Sequence, residues 1–214
     1  MALATVHDNH LNFAGVNYFR GNSPSVSIGD YGEKKKPLFS QNYLEVQDNI
    51  PAPKLVVRAV TEVAIDFAKS TEADIKLNLH VAGSFSGSAG AAYESLKSGS
   101  LKLMKLDMTV GDVKGAVNSA PKVRDNLASY GSDARVAHQI FVVMEATEAS
   151  AFKAGGKVTF SMQDATLQAH GGTGGTTTIS LKTGTTYAYL LCKPDWNGGK
   201  SSVEKFTDDQ WSLS

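Results

Sequence analysis

One cysteine, six prolines and no surplus of either charge mark this chain of 214 residues. The single thiol, Cys192, leaves no disulfide framework and no cysteine-built zinc site. Twenty-one basic residues balance twenty-one acidic ones. The broad positive field of a dedicated nucleic-acid binder is therefore missing, and that class is set aside. No run of 18 apolar residues occurs, so no membrane-spanning helix is predicted. The first residues carry neither the basic stretch nor the apolar core of a secretory signal, and the expectation is a cytoplasmic protein.

Catalytic motifs are equally scarce. Gly199-Lys200-Ser201 has the closing residues of a phosphate-binding loop, but Pro194 stands where the loop's first glycine belongs. The histidines are scattered, apart from His7 and His10, and lack acids at metal-ligand spacing. No Gly-x-Ser-x-Gly elbow is present. Lys193 beside Cys192 would favour a thiolate, yet a lone cysteine ending an apolar strand reads more simply as a small hydrophobe. Neither an enzyme nor a cofactor or metal is expected.

Glycine, serine and threonine, by contrast, make up roughly a quarter of the chain. They divide it into segments. The first fifty residues read as mostly irregular, with short strands expected at Leu11–Phe19 or Tyr43–Val46. From Leu55 to Phe67 apolar residues fall at odd positions, the period of two of a long strand with one apolar face. A polar turn at 69–74 leads to a second alternating run, Ile75, Leu77, Leu79 and Val81. Together these predict an unusually long hairpin. A small-residue linker, a strand over Leu101–Val110 and two short helices broken at Pro121 follow, with Gly131 as the closing cap. His138–Ala146 reads as a buried central strand. A weaker alternation at Val158, Phe160 and Met162 precedes a glycine-rich turn at 171–175. Strands are expected again at Thr176–Leu181 and Thr185–Leu191, then a polar tail over residues 197–214 with two apolar anchors, Phe206 and Trp211.

Strands of ten or more residues with a wettable second face match what a tilted membrane-crossing strand requires. The order of the pieces also resembles the pore-forming domain of the gasdermin family, from about Ala59 to Trp196. The resemblance lies in the order of its pieces: the alternating pair Val57–Val81, a Gly/Ser/Ala stretch, Ser100-Leu101-Lys102-Leu103-Met104-Lys105-Leu106, the helical Lys122–Leu127, the apolar Gln139–Ala146 with its Val-Val-x-Glu close, a glycine-rich second hairpin, and the terminal pair Thr177–Leu190 about a glycine turn.

It implies an α+β domain over residues 1–196: a twisted antiparallel β-sheet with flanking short helices, cytoplasmic when inactive and membrane-inserted when active. Two regions, Ala59–Phe85 and Thr147–Gly172, would refold into long hairpins, and many copies would close into a membrane β-barrel. A closed ring is required because a lone hairpin leaves unpaired edges in lipid. The partners implied are further copies of the chain, membrane phospholipids, and an activating protease or co-assembling partner. The lipid-facing rows would be Val63, Ile65, Phe67, Ile75, Leu77, Leu79 and Val81 in the first hairpin, and Val158, Phe160 and Met162 in the second. Lys34, Lys35 and Lys36 are candidates for acidic head groups. The tail 197–214 is a candidate inhibitory peptide, docked by Phe206 and Trp211. The alternative reading is a non-enzymatic β-rich binding or self-assembling structural module.

Overall fold

A computed structural model describes residues 2–76, 89–153, 159–161, 166–170, 176–182 and 186–212. Its N-terminal third is not irregular. It holds β1 (Ala2–Val6), β2 (His10–Phe13), β3 (Val16–Phe19), β4 (Asp30–Lys35) and β5 (Tyr43–Asn49). These strands are four to seven residues long, too short for a two-residue period to emerge from the sequence. Left-handed residues turn the chain between them, Ala14 and Gly15 between β2 and β3 and Gly29 before β4. Gly29 is also packed tightly, since a side-chain carbon there would meet Leu55 at 2.9 Å.

The remaining elements are β6 (Val56–Ile65), α1 (Glu72–Lys76), α2 (Ala89–Ser98), β7 (Leu101–Asp107), α3 (Val110–Asn118), α4 (Pro121–Ser129), β8 (Ala134–Glu145), α5 (Ala146–Lys153), β9 (Thr159–Ser161), β10 (Thr166–His170), β11 (Thr176–Lys182), β12 (Thr186–Trp196) and β13 (Val203–Asp209). Pro121 separates the two helices as expected, standing at the first turn of α4, where its missing N–H costs nothing. Thr109 and Asp112 form a reciprocal capping box at the start of α3. Gly131, just past α4, takes the left-handed conformation (φ +61°) that a helix end favours.

The class is α+β, a twisted sheet with a few short helices. The sheet is mixed rather than wholly antiparallel: among the described residues β1 with β6, β6 with β10, and β9 with β11 pair in parallel. Pairing also closes on itself. The path runs β6–β7–β8–β12–β3–β2–β1 and back to β6, a ring of seven strands.

Two hydrophobic clusters follow from the closure. Every strand of the ring contributes to the first, which fills its interior: Val6, Phe13, Tyr18, Val63, Leu103, Phe141 and Leu190 are among its members. The second lies on the outer face of β7, β8 and β12 beneath the β4–β5 hairpin, α3, α4 and β13. Leu106, Ile140 and Leu191 meet Val113, Leu127, Val203 and Phe206 there.

Strand β6 explains a misreading. Its odd positions do not share one face, because Val57 belongs to the outer cluster and Val63 and Ile65 to the inner one. A β-bulge between Ala59 and Thr61 inserts the extra residue that reverses the facing. Val60, at the bulge, is left exposed.

Candidate membrane-insertion segments

Four neighbours in the ring, β6, β7, β8 and β12, are antiparallel to one another. Their connections differ in kind. Between β7 and β8 the chain makes the compact α3–α4 pair, whereas residues 66–100 and 146–185 are long insertions between β6 and β7 and between β8 and β12. Register places the roots of both insertions at one end, although β10 of the second runs back to pair with Val56–Arg58 at the other end of β6. Val63 pairs with Leu103, Leu101 with Glu145, and Thr186 with Val142, so Ile65, Leu101, Glu145 and Thr186 share an edge.

The first insertion closes that end of the ring. Ile75 of α1 and Ala92, Tyr93 and Leu96 of α2 complete the interior cluster. Polar ties hold α1 in place. The Arg20 guanidinium is wholly buried, lies 4.8 Å from the Tyr187 ring centre and donates from Nη1 to the carbonyls of His7 (2.5 Å) and Asp74 (2.5 Å). The Tyr187 hydroxyl donates to the Ile75 carbonyl at 3.2 Å, and Ser70 Oγ accepts from the Val6 amide at 2.8 Å. Burial pushes the Tyr187 phenol up to about 12, so it remains a donor.

The predicted lipid-facing row divides accordingly. Val63 and Ile65 are buried in β6, and Phe67 sits edge-on to Tyr93 with ring centres 6.0 Å apart. Ile75 is fully buried in a helix, not a strand, because Glu72 and Asp74 in the first turn and Lys76 in the last give the segment helical charge order. Leu77, Leu79 and Val81 lie outside the described residues. In the second insertion Val158 and Met162 also lie outside them, and Phe160 is described only as a strand position in β9. The Gly171–Gly175 turn lies outside too, but its flanks, β10 and β11, pair as an antiparallel hairpin.

The lysine triplet is not one open patch. Lys34 is buried and ion-paired with Asp209 at 2.9 Å, and Lys35 is paired with Glu33 and Glu45. Only Lys36 of the three is exposed. Beside it stands a feature the sequence reading passed over. Leu38 and Phe39 are the most exposed large apolar side chains described, at 86% and 106%, and Phe39 has φ +66°. Two large apolar residues after a proline in a polar stretch were the available signal. Two residues on, Gln41 donates to the Asp8 carbonyl at 3.1 Å, and Arg20 also reaches that carbonyl, at 3.4 Å. The apolar tip thus lies at the end of the ring that carries α1.

Comparison of the chain with protein-family models, curated proteins and solved structures gives no match.

The segment read as a polar tail is the edge strand β13, paired with β12 from Leu191–Asp209 to Trp196–Val203. Phe206 and Trp211 are both buried in the outer cluster. Trp211 stacks on His10 at 4.4 Å, and His10 stacks on His7 at 4.4 Å. Burial, His7 and Arg20 together lower His10 to about 4. Asp209 accepts from Lys34 and from Arg135 Nε (2.5 Å), and Asp208 faces His138 Nε2 at 3.2 Å. Burial pushes Asp209 up, but Arg135 and Lys34 hold it below the ordinary carboxylate range. The His138 contact lowers Asp208 against a smaller burial effect. No helix among the described residues is long and apolar enough to cross a membrane, which leaves strand-built crossing as a separate question.

Proposed function

We propose that this chain is a gasdermin-like pore-forming protein that oligomerises in phospholipid membranes into a large β-barrel, causing cell death or defence-linked lysis. One observation carries the reading: two long insertions leave the same end of four neighbouring antiparallel strands. Each insertion is long enough to supply two crossing strands of about 9–11 residues. Extending β6 into β7 and β8 into β12 would lengthen the existing ladder without changing its order. Copies joined edge to edge would leave no unpaired strand in lipid. The exposed Leu38–Phe39 tip beside Lys36 lies at the insertion end and suits first contact with an anionic surface. In this scheme α1 and α2 withdraw from the ring before the first hairpin forms, and a protease or a co-assembling partner triggers that withdrawal. The protein is cytoplasmic until then.

Dye release from anionic vesicles, with rings seen by negative stain, tests the proposal. Leu77→Asp combined with Leu79→Asp is expected to suppress release at least tenfold, since a charge at the bilayer midplane costs about 2–4 kcal/mol. Full release by that variant, or an inert wild-type monomer after limited proteolysis and on every vesicle composition, would remove the reading in favour of a β-rich binding module.

A further inference from the structure

At the root of the first insertion, between α2 and the β6–β7 pair, lies a cavity of about 240 Å³. Its floor is apolar: Val63, Ile65, Phe67, Leu96 and Leu103 line it. Its rim is cationic, with Lys97 at the last turn of α2 and Lys102 at the start of β7. Gly99, in the left-handed conformation (φ +82°), makes the bend between α2 and β7, and both lysines line the cavity. The Lys102 ammonium stands 3.4 Å from where a side-chain carbon on Gly99 would be.

Neither lysine is ion-paired among the described residues. Lys97 has only the Tyr93 ring, 5.8 Å from its ammonium. The carbonyl end of α2 offsets part of one charge and leaves the rest for a ligand.

We propose that this cavity binds a single-chain amphiphile with an anionic head, its alkyl chain on the apolar floor and its carboxylate between Lys97 and Lys102. The volume argues for one chain, because it falls below the roughly 300–1,000 Å³ of a drug-sized pocket and cannot take a two-tailed lipid. The charge argues for an anion. The site stands on the cavity alone and does not rest on the pore reading.

Decanoate, below its micellar concentration and with no membrane present, is the probe, titrated calorimetrically into the full chain. Saturable one-to-one binding is expected. Hexanoate should bind far more weakly, since each methylene entering the cavity is worth about fourfold in affinity. Lys97→Ala with Lys102→Ala should weaken decanoate about tenfold, as two solvent-accessible charge pairs would, while leaving decanol unchanged. Absence of saturable decanoate binding, equal binding of decyltrimethylammonium, or wild-type affinity in the double lysine variant would each overturn the proposal. Because no vesicle enters the experiment, failure here is distinct from failure of the dye-release test.

Discussion

The ring is fastened in two places by different chemistry. At the insertion end, α1 is held by neutral acceptors: Arg20 and Tyr187 donate to backbone carbonyls, and apolar side chains fill the gap beneath. On the outer face, β13 is held by carboxylates, Asp208 against His138 and Asp209 against Lys34 and Arg135, with Trp211 stacked on His10. The first fastening has no group that titrates near neutrality among these donors and acceptors. The second depends on protonation state: its carboxylates must be charged and His10 must be neutral. Mild acid should therefore loosen the second first; the first weakens only at lower pH, where Asp74, held below its ordinary value by Thr71 at the start of α1, gains a proton.

The largest effect should come from the outer fastening. Phe206→Ala together with Trp211→Ala empties two buried aromatic sites of the outer cluster, each worth about 3–5 kcal/mol. Urea titration should show β13 lost, with the whole domain close to unfolded given an ordinary stability of about 5–15 kcal/mol. If the strand also restrains pore formation, removing residues 197–214 should raise spontaneous leakage and toxicity at equal protein level. Equal growth of cells making the full and shortened chains would deny it that role.

Arg20→Met should rank next, at about 3 kcal/mol or more, because the His7 and Asp74 carbonyls lose a charged donor inside the fold. Hydrogen exchange should rise in α1 and α2 before it rises in β13. The reverse order would undo the contrast between the two fastenings.

Acid supplies a smaller and more diagnostic test. His10 is lowered from 6.5 to about 4, so between those values the unfolded or detached segment binds the extra proton. Stability is then lost as pH falls from 6.5 to 4, and Trp211 fluorescence should change in that window. His10→Phe should abolish the change. Asp208 and Asp209 act lower down: their depressed values keep their contribution intact above the ordinary carboxylate value near 3.9, and it is lost as pH falls further. Asp209→Asn should remove most of that second phase and leave the first.

The smallest effect is expected at the tip. Replacing Lys36 with Ser should weaken low-salt vesicle binding by about 1 kcal/mol. Lys34→Ser would instead destabilise the fold, because its ammonium serves the buried Asp209 pair. Equal co-sedimentation of Lys36→Ser and wild type would take the tip out of the membrane contact.

How much of this was legible follows from the range of each signal. The β8 run, the Pro121 break between α3 and α4 and the Gly131 cap are local, and the sequence alone determined them. Propensity, capping and turn chemistry act over a few residues. So did the apolar character of Phe206 and Trp211, which forecast burial without saying where. Only the tertiary structure decided that β6 faces two cores, since a bulge at Ala59–Thr61 depends on the strand it pairs with. It alone decided that Ile75 caps a ring as helix, that Lys34 serves Asp209, 175 residues away, and that residues 203–209 form a strand. The reason is common to all three: a side chain's charge or apolarity fixes what it needs, but its partner is chosen by chain closure over long separations, which no local pattern records.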